Sequence, residues 1–320
     1  MNSVEQARHQ LGSGQPDAAV TLLDRAIATG DSAAAIELAA WRMQGRGGGR
    51  NLVEARRLFG VAAQLGDAGA GALHRALITH GFGRDGDFSK GRALLNAASV
   101  DDEVAARQCA LLAAMAIDDH GDPTVEPTIE RLVSQPDVSI ARAAFTPDEC
   151  AELIRLATPR LVPAVIVDPT SGQLRPDPIR SSDSAAFAWL AEDVFIHAIN
   201  RRLARLTMTD VAAGEPLQIL RYRRGGEYRP HVDSVADAIN QRIATALLYL
   251  NDDYDGGETH FIMPDVKLRG AVGDVVIFRN VTADGVADPS SRHAGLPVVR
   301  GQKYLASRWI RQRPLIDDLE

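Results

Sequence analysis

The chain has 320 residues, 45% of them hydrophobic and 24% charged, which is enough apolar material for packed cores and enough length for two domains. A formal net charge of −7 gives no bulk electrostatic reason to expect nucleic acid as a partner. The two cysteines, Cys109 and Cys150, lack CxxC spacing, so they supply neither a disulfide framework nor a thiolate zinc site and fit a reducing compartment. The opening "MNSVEQARHQLGSGQPDAAV" has no basic segment followed by an apolar one, and no run approaches eighteen apolar residues. A cytoplasmic protein without a membrane span is expected.

Residues 1–120 are rich in Ala, Leu and Arg, with apolar residues at helical spacing. They contain a repeat. "LLDRAIATGDSAAAIELA" from Leu22 is echoed by "LFGVAAQLGDAGAGALHRA" from Leu58, and Gly30-Asp31 stands 36 residues before Gly66-Asp67. "GRGGGRNLVEARRLF" from Gly45 and "GFGRDGDFSKGRALL" from Gly81 keep the same 36-residue interval, and a weaker third copy begins at Leu94. A period in the thirties with two helices per unit predicts a helical solenoid, each unit burying its apolar face on its neighbour. The pattern resembles Sel1-like repeats, relatives of the tetratricopeptide type. Ala62, Ala63 and Ala70 would let helices approach closely, and Gly45, Gly47, Gly48 and Gly49 suit an inter-helix loop. The alternative is a plain helical bundle with no partner.

Residues 121–137, "GDPTVEPTIERLVSQPD", mix prolines with a short helical stretch and are expected to be a linker. From residue 138 to 320 the pattern changes. "FTPDECAELIRLATPRL" predicts a helix with Thr146 as N-cap, Pro147 at its first position and Glu149 closing a capping box. "AFAWLAEDVFIHAINRRLARLT" predicts a second long helix. Beyond Leu217, short β-rich runs ("LQILRYR", "RIATALLYLN", "GETHFIM", "DVVIFRN", "LPVV", "KYLASRWI") alternate with Gly, Asp, Asn and Pro turns. The expected fold class is therefore multidomain α and β: a helical repeat domain, then a barrel or jelly roll braced by helices.

Within "YRPHVDSV", His231 and Asp233 stand two apart, which places them on one face of a strand, with Val232 on the other. Two histidines and one carboxylate form the facial ligand set of a non-haem iron(II) oxygenase. After His231, His260 and His293 remain as candidates for the third ligand. Lys303, ten residues beyond His293 across "PVVRGQ", favours His293: the two are expected on neighbouring strands of a hairpin, with the ammonium one strand from the metal. A Lys facing a barrel interior is costly unless an anion pairs with it. On its own it reads more simply as a solvated strand-edge lysine.

The run from "LQILRYRRGGEYRPHVD" through "RIATALLYLND", "GGETHF", "GDVVIFRN" and "SSRHAGLPVVRGQKYLASRWI" resembles the prolyl 4-hydroxylase branch of the iron(II)/2-oxoglutarate dioxygenases. The likeness extends upstream through "AFTPDECAELIRLA" and "RSSDSAAFAW", and so covers about residues 138–314. It implies a double-stranded β-helix (jelly-roll) with the metal at its mouth. By position it implies iron(II) ligands at His231, Asp233 and His293, and Lys303 as the partner of the distal carboxylate of 2-oxoglutarate. Tyr222 would line that cosubstrate pocket, with Thr245 and Tyr249 adding hydroxyls from one strand face. Arg180, Ser182, Glu215, Tyr228, Arg242 and Trp309 fall where the family places a peptide groove, although Glu215 and Arg242 also suit an ordinary ion pair and Trp309 a core. His260 is expected to be structural.

The implied reaction couples decarboxylation of 2-oxoglutarate to succinate and carbon dioxide with hydroxylation by O2, ascorbate serving as an accessory reductant. Asp233 argues against the halogenating variant, which needs that position for halide. The expected substrate is a residue, proline first, in a peptide or protein recruited with help from the repeat domain. The alternatives are a repeat-based adaptor with a vestigial oxygenase domain, or a hydroxylase of a free amino acid or of a non-proline residue. Two departures bear on substrate choice: Arg311 stands where some relatives have His, and Arg292 where many have an apolar residue. Both would add positive charge near the mouth.

Overall fold

The computed structural model describes residues 1–81, 85–167, 173–236 and 238–315. The chain forms two compact units, Met1–Gly121 with Trp189–Ala198, and Asp122–Ala188 with Ile199–Glu320.

The first unit carries α1 (Ser3–Gly12), α2 (Pro16–Ala28), α3 (Ser32–Gln44), α4 (Leu52–Gln64), α5 (Ala68–His80), α6 (Phe88–Ala98) and α7 (Glu103–Ala114). The 36-residue interval marks helix ends. Asp31 and Asp67 cap α3 and α5, accepting from the amides of Ala34 at 3.1 Å and Ala70 at 2.8 Å. Asn51 and Asp87 do the same for α4 and α6, from Glu54 at 2.9 Å and Lys90 at 2.8 Å. Each cap satisfies an amide that the helix itself leaves unbonded. Gly45 and Gly81 end α3 and α5 in the left-handed region, at φ 74° and 84°, where a side chain would be strained. Residues 82–84 of the second glycine-rich copy lie outside the described residues. Ala62 and Ala70 are buried, as close helix approach requires. No helix among the described residues is long and apolar enough to cross a membrane.

The second unit is built on strands: β1 (Ile129–Val133), β2 (Val138–Ala141), β3 (Val162–Pro163), β4 (Val165–Val167), β5 (Leu174–Pro176), β6 (Asp183–Phe187), β7 (Leu217–Tyr222), β8 (Tyr228–His231), β9 (Arg242–Tyr249), β10 (Asp255–Gly256), β11 (Thr259–Phe261), β12 (Val266–Leu268), β13 (Val275–Arg279), β14 (His293–Gly295), β15 (Val298–Arg300) and β16 (Lys303–Arg311). The major sheet runs β1-β2-β13-β9-β16-β7-β6-β3 and the minor sheet β12-β11-β14-β8. They pack face to face. Phe261 of the minor sheet enters a core with Leu247, Tyr249, Val276, Phe278 and Leu305 of the major one, its ring edge-on to Phe278 at 5.1 Å. This two-sheet arrangement is consistent with the expected jelly roll. Helix α8 (Pro147–Ala157) starts with the predicted capping box of Thr146 and Glu149.

Three local expectations differ from the structure. The supposed helical stretch of the linker is a strand, β1, paired with β2; Leu132 and Val133 pack on the major-sheet core, and that burial outweighs local helix propensity. The helix expected from Ala186 starts only at Val194, as α9 (Val194–Thr207). Asp183–Phe187 is instead drawn into the sheet beside β7. His293 and Lys303 are not hairpin neighbours either. β14 pairs with β8 and β11 in the minor sheet, while β16 pairs with β7 and β9 in the major one. The chain between them crosses over, β15 pairing with β10 on the way.

Candidate active site

A cavity between the two sheets collects much of the chemistry singled out in the sequence. Along β16 every second residue faces it: Lys303, Leu305, Ser307 and Trp309, as the period of a strand requires. Tyr222 and Leu247 join them from β7 and β9, and Tyr228, His231, Thr259 and His293 line the opposing wall.

His231 and His293 are direct partners in the β8–β14 ladder, their rings 4.4 Å apart. β8 ends at His231, so Asp233 lies just past the strand, yet its carboxylate turns back to the same cavity. Val232 faces outward and is 41% exposed. One ligand-capable atom from each of His231, Asp233 and His293 falls within 4.8 Å of the others. Asp233 Oδ1 is 3.6 Å from His231 Nε2, and Oδ2 is 3.9 Å from His293 Nε2.

The donor set fits a divalent iron. Nδ1 of His231 lies 2.8 Å from the Arg229 carbonyl and Nδ1 of His293 3.0 Å from the Ser291 carbonyl. A carbonyl only accepts, so both rings carry their proton on Nδ1 and present the Nε2 lone pair. Nε2 of His231 is buried without a hydrogen-bond partner, which an ion would supply. Burial alone would raise the Asp233 pKa, but His293, His231 and the Thr245 hydroxyl hold it well below the usual carboxylate range. Burial pushes the His293 pKa down. Two inward Nε2 lone pairs and one carboxylate thus converge, the donor types of a facial set.

Lys303 is 3% exposed. Its ammonium donates to the Gly257 carbonyl at 2.7 Å and sits 5.2 Å and 5.8 Å from the ring centres of Tyr249 and Tyr222. Burial lowers its pKa to about 8. No carboxylate hydrogen-bonds to it among the described residues, so the cavity holds a buried cation suited to an anionic ligand.

A profile described as the 2OG-Fe(II) oxygenase superfamily matches residues 217–311. The chain is 35% identical over 198 residues to prolyl 4-hydroxylase 1 of Arabidopsis thaliana, covering 56% of this chain and 70% of that protein. The chain belongs to the prolyl 4-hydroxylase family. It is 38% identical over 169 residues to prolyl 4-hydroxylase subunit alpha-1 of Rattus norvegicus, covering 49% of this chain and 31% of that one. A crystal structure of the viral collagen prolyl hydroxylase of Paramecium Bursaria Chlorella virus-1, with 2OG, aligns with 24% identity and a TM-score of 0.44, over 54% of this chain and 95% of that one. This prolyl 4-hydroxylase family member is thus a 2-oxoglutarate-dependent dioxygenase whose cofactors are iron(II), 2-oxoglutarate and O2.

Other expected site residues are distributed less simply in this dioxygenase. The Thr245 hydroxyl does not face the Lys303 end; it donates to Asp233 Oδ2 at 2.7 Å. The Tyr249 hydroxyl is engaged with Thr259 at 2.9 Å and with the Leu268 carbonyl, and only its ring approaches Lys303. Arg180 and Ser182 line a separate cleft with Arg221 and Arg223, although the Arg180 guanidinium reaches over Tyr228 at 5.4 Å. Glu215 receives Arg242 through two bonds of 2.6 and 2.7 Å, and Arg311 at 2.5 Å. Arg311 therefore shares a single carboxylate with Arg242, and the three side chains keep one net positive charge. Arg292 is exposed. His260 turns away and meets Asp265 at 2.8 Å. Sequence reasoning missed Thr259, Ser307 and Asn280. The last, a polar residue two positions past the apolar run "VVIF", was the most visible signal.

Proposed function

We propose that this chain hydroxylates a prolyl residue in a peptide or protein, with His231, Asp233 and His293 as the iron ligands. The observation that carries the reading is the convergence on one cavity of this triad and a buried Lys303 that hydrogen-bonds to no carboxylate among the described residues. When bound, iron(II) with 2-oxoglutarate and dioxygen supplies the oxidising power for C–H hydroxylation, yielding succinate and carbon dioxide.

The chain's own residues bind, orient and exclude. The two Nδ1–carbonyl bonds hold the imidazoles with Nε2 forward. Lys303 pairs with the distal carboxylate of 2-oxoglutarate, between the rings of Tyr222 and Tyr249. Leu220, Leu247 and Leu305 keep that end dry, which strengthens the charge pair. Tyr228 and Trp309 present aromatic surface to a proline ring, with Arg242 held over Trp309 and Arg180 over Tyr228. Glu215 acts by positioning Arg242. The helical unit, read as Sel1-like repeats, helps recruit the substrate. The free thiols of Cys109 and Cys150 support a reducing, cytoplasmic setting.

The test is anaerobic iron(II) and 2-oxoglutarate addition to wild type and His231→Ala, reading the visible charge-transfer band, followed by succinate release with proline-containing peptides. A band in wild type that is lost in the variant supports the centre. Folded, iron-supplemented wild type without a band removes it. A normal band with no peptide-stimulated succinate moves the substrate reading to a free amino acid or another residue. A photo-crosslinking peptide captured only by the second unit would remove the recruiting role.

A further inference from the structure

Thr245 and Asn280 are both fully buried in the wall of the second unit. Asn280 Nδ2 donates to Thr245 Oγ1 at 2.9 Å, and Thr245 Oγ1 donates to Asp233 Oδ2 at 2.7 Å. The chain of bonds has one direction. An amide nitrogen only donates and a carboxylate only accepts, so Thr245 accepts from Asn280 and gives its single proton to Asp233. The Asn280 backbone is pinned as well, its amide donating to the Ile243 carbonyl at 3.0 Å and its carbonyl accepting from Asp288 at 2.9 Å. Valine would fill the space of Thr245 between Ala244 and Ala246 without burying a hydroxyl. Buried polar groups placed like this are explained by what they hold, and this pair holds one oxygen of Asp233. The other oxygen, Oδ1, is the one facing His231 Nε2.

We propose that Asn280 and Thr245 are positioning residues for the metal centre: they fix the rotation of the Asp233 carboxylate, Oδ2 held by the Thr245 hydroxyl and Oδ1 turned toward His231 Nε2. This rests on the reading of His231, Asp233 and His293 as ligands. Thr245 then acts through Asp233, not on 2-oxoglutarate. Hydrogen bonds behind a metal ligand typically govern metal affinity by about 10–100-fold.

Cobalt(II) is the probe, titrated into the full chain and followed by its d–d absorption, with melting temperature measured in chelator and in excess cobalt. Thr245→Val should weaken cobalt binding at least about tenfold and change the d–d band, as a freed carboxylate alters its coordination. Thr245→Ser, which keeps the proton, should restore affinity to within about threefold, and Asn280→Leu should fall between. Wild-type cobalt affinity in folded Thr245→Val overturns the proposal. So does a loss that Thr245→Ser fails to restore, or a lower melting temperature in chelator with the cobalt-induced gain unchanged, which marks a purely structural role. If Thr245→Val does not fold, Thr245→Ala removes the hydroxyl without a larger side chain, and the same outcomes decide. Wild type that binds no cobalt refutes the metal centre itself.

Discussion

Tyr228 stacks on His231, with ring centroids 3.5 Å apart and planes 18° from parallel. A residue expected in the peptide groove thereby also sets the plane of a candidate iron ligand, together with the bond from His231 Nδ1 to the Arg229 carbonyl. Tyr228→Phe keeps the stack and should leave metal affinity near wild type, while a lost hydroxyl raises KM for a peptide. Tyr228→Ala should weaken iron or cobalt binding by about tenfold. Equal metal affinity in the Ala variant would show the stack to be passive.

Glu215 joins two arginines whose side chains are only 21% and 18% exposed. Glu215→Gln leaves both guanidinium groups without a countercharge, at a cost on the order of 2–3 kcal/mol, less than for a fully buried pair. The Arg242 guanidinium, 4.3 Å above the Trp309 ring, would lose its anchor. A lower melting temperature should therefore accompany a raised peptide KM, with the iron and 2-oxoglutarate charge-transfer band intact. A variant as stable as wild type would mean that solvent already screens the triad.

The triad was legible because the spacing around His231 keeps Val232 outward and Asp233 on the cavity side, although the strand itself ends at His231. The repeat was legible because its period is a capping period, written in Asp31, Asp67, Asn51 and Asp87. What the sequence hid was pairing. Nothing local distinguishes a hairpin between His293 and Lys303 from a crossover between facing sheets, since both need the same glycine turn. The strand β1 was hidden for a like reason: its partner β2 and the core under Leu132 and Val133 decide its state. The destination of the Thr245 hydroxyl depends on Asp233 and Asn280, 12 and 35 residues away, and strand-face counting gives only its side.

The capping reading of the repeat has its own test. Asp67→Ala removes the acceptor for the Ala70 amide and should destabilise the helical unit by about 1 kcal/mol. Asp67→Asn keeps an oxygen there and should cost much less. Amide exchange at the start of α5 is the direct measurement. Unchanged protection there in Asp67→Ala would mean that packing, not the cap, holds this helix end.

Lys303 ties stability to function through pH. Its pKa in the free fold, about 8, lies below the ordinary lysine value because burial disfavours the ammonium. Below pH 8 the group is charged in both folded and unfolded chains, and the fold carries the full desolvation cost. Between pH 8 and about 10.5 the unfolded chain still holds the proton that the fold has released, so this group makes apo stability rise with pH, by roughly 3 kcal/mol in all. Lys303→Met should abolish that rise and stabilise the apo protein at pH 7. The opposite slope is expected for 2-oxoglutarate. Its carboxylate needs the ammonium, so affinity should weaken above pH 8, approaching tenfold per unit, with proton uptake on binding. Calorimetry at pH 8.5 in two buffers of different ionisation enthalpy measures that proton directly. A Kd that is flat from pH 7 to pH 9.5, with no proton taken up, would detach Lys303 from the cosubstrate.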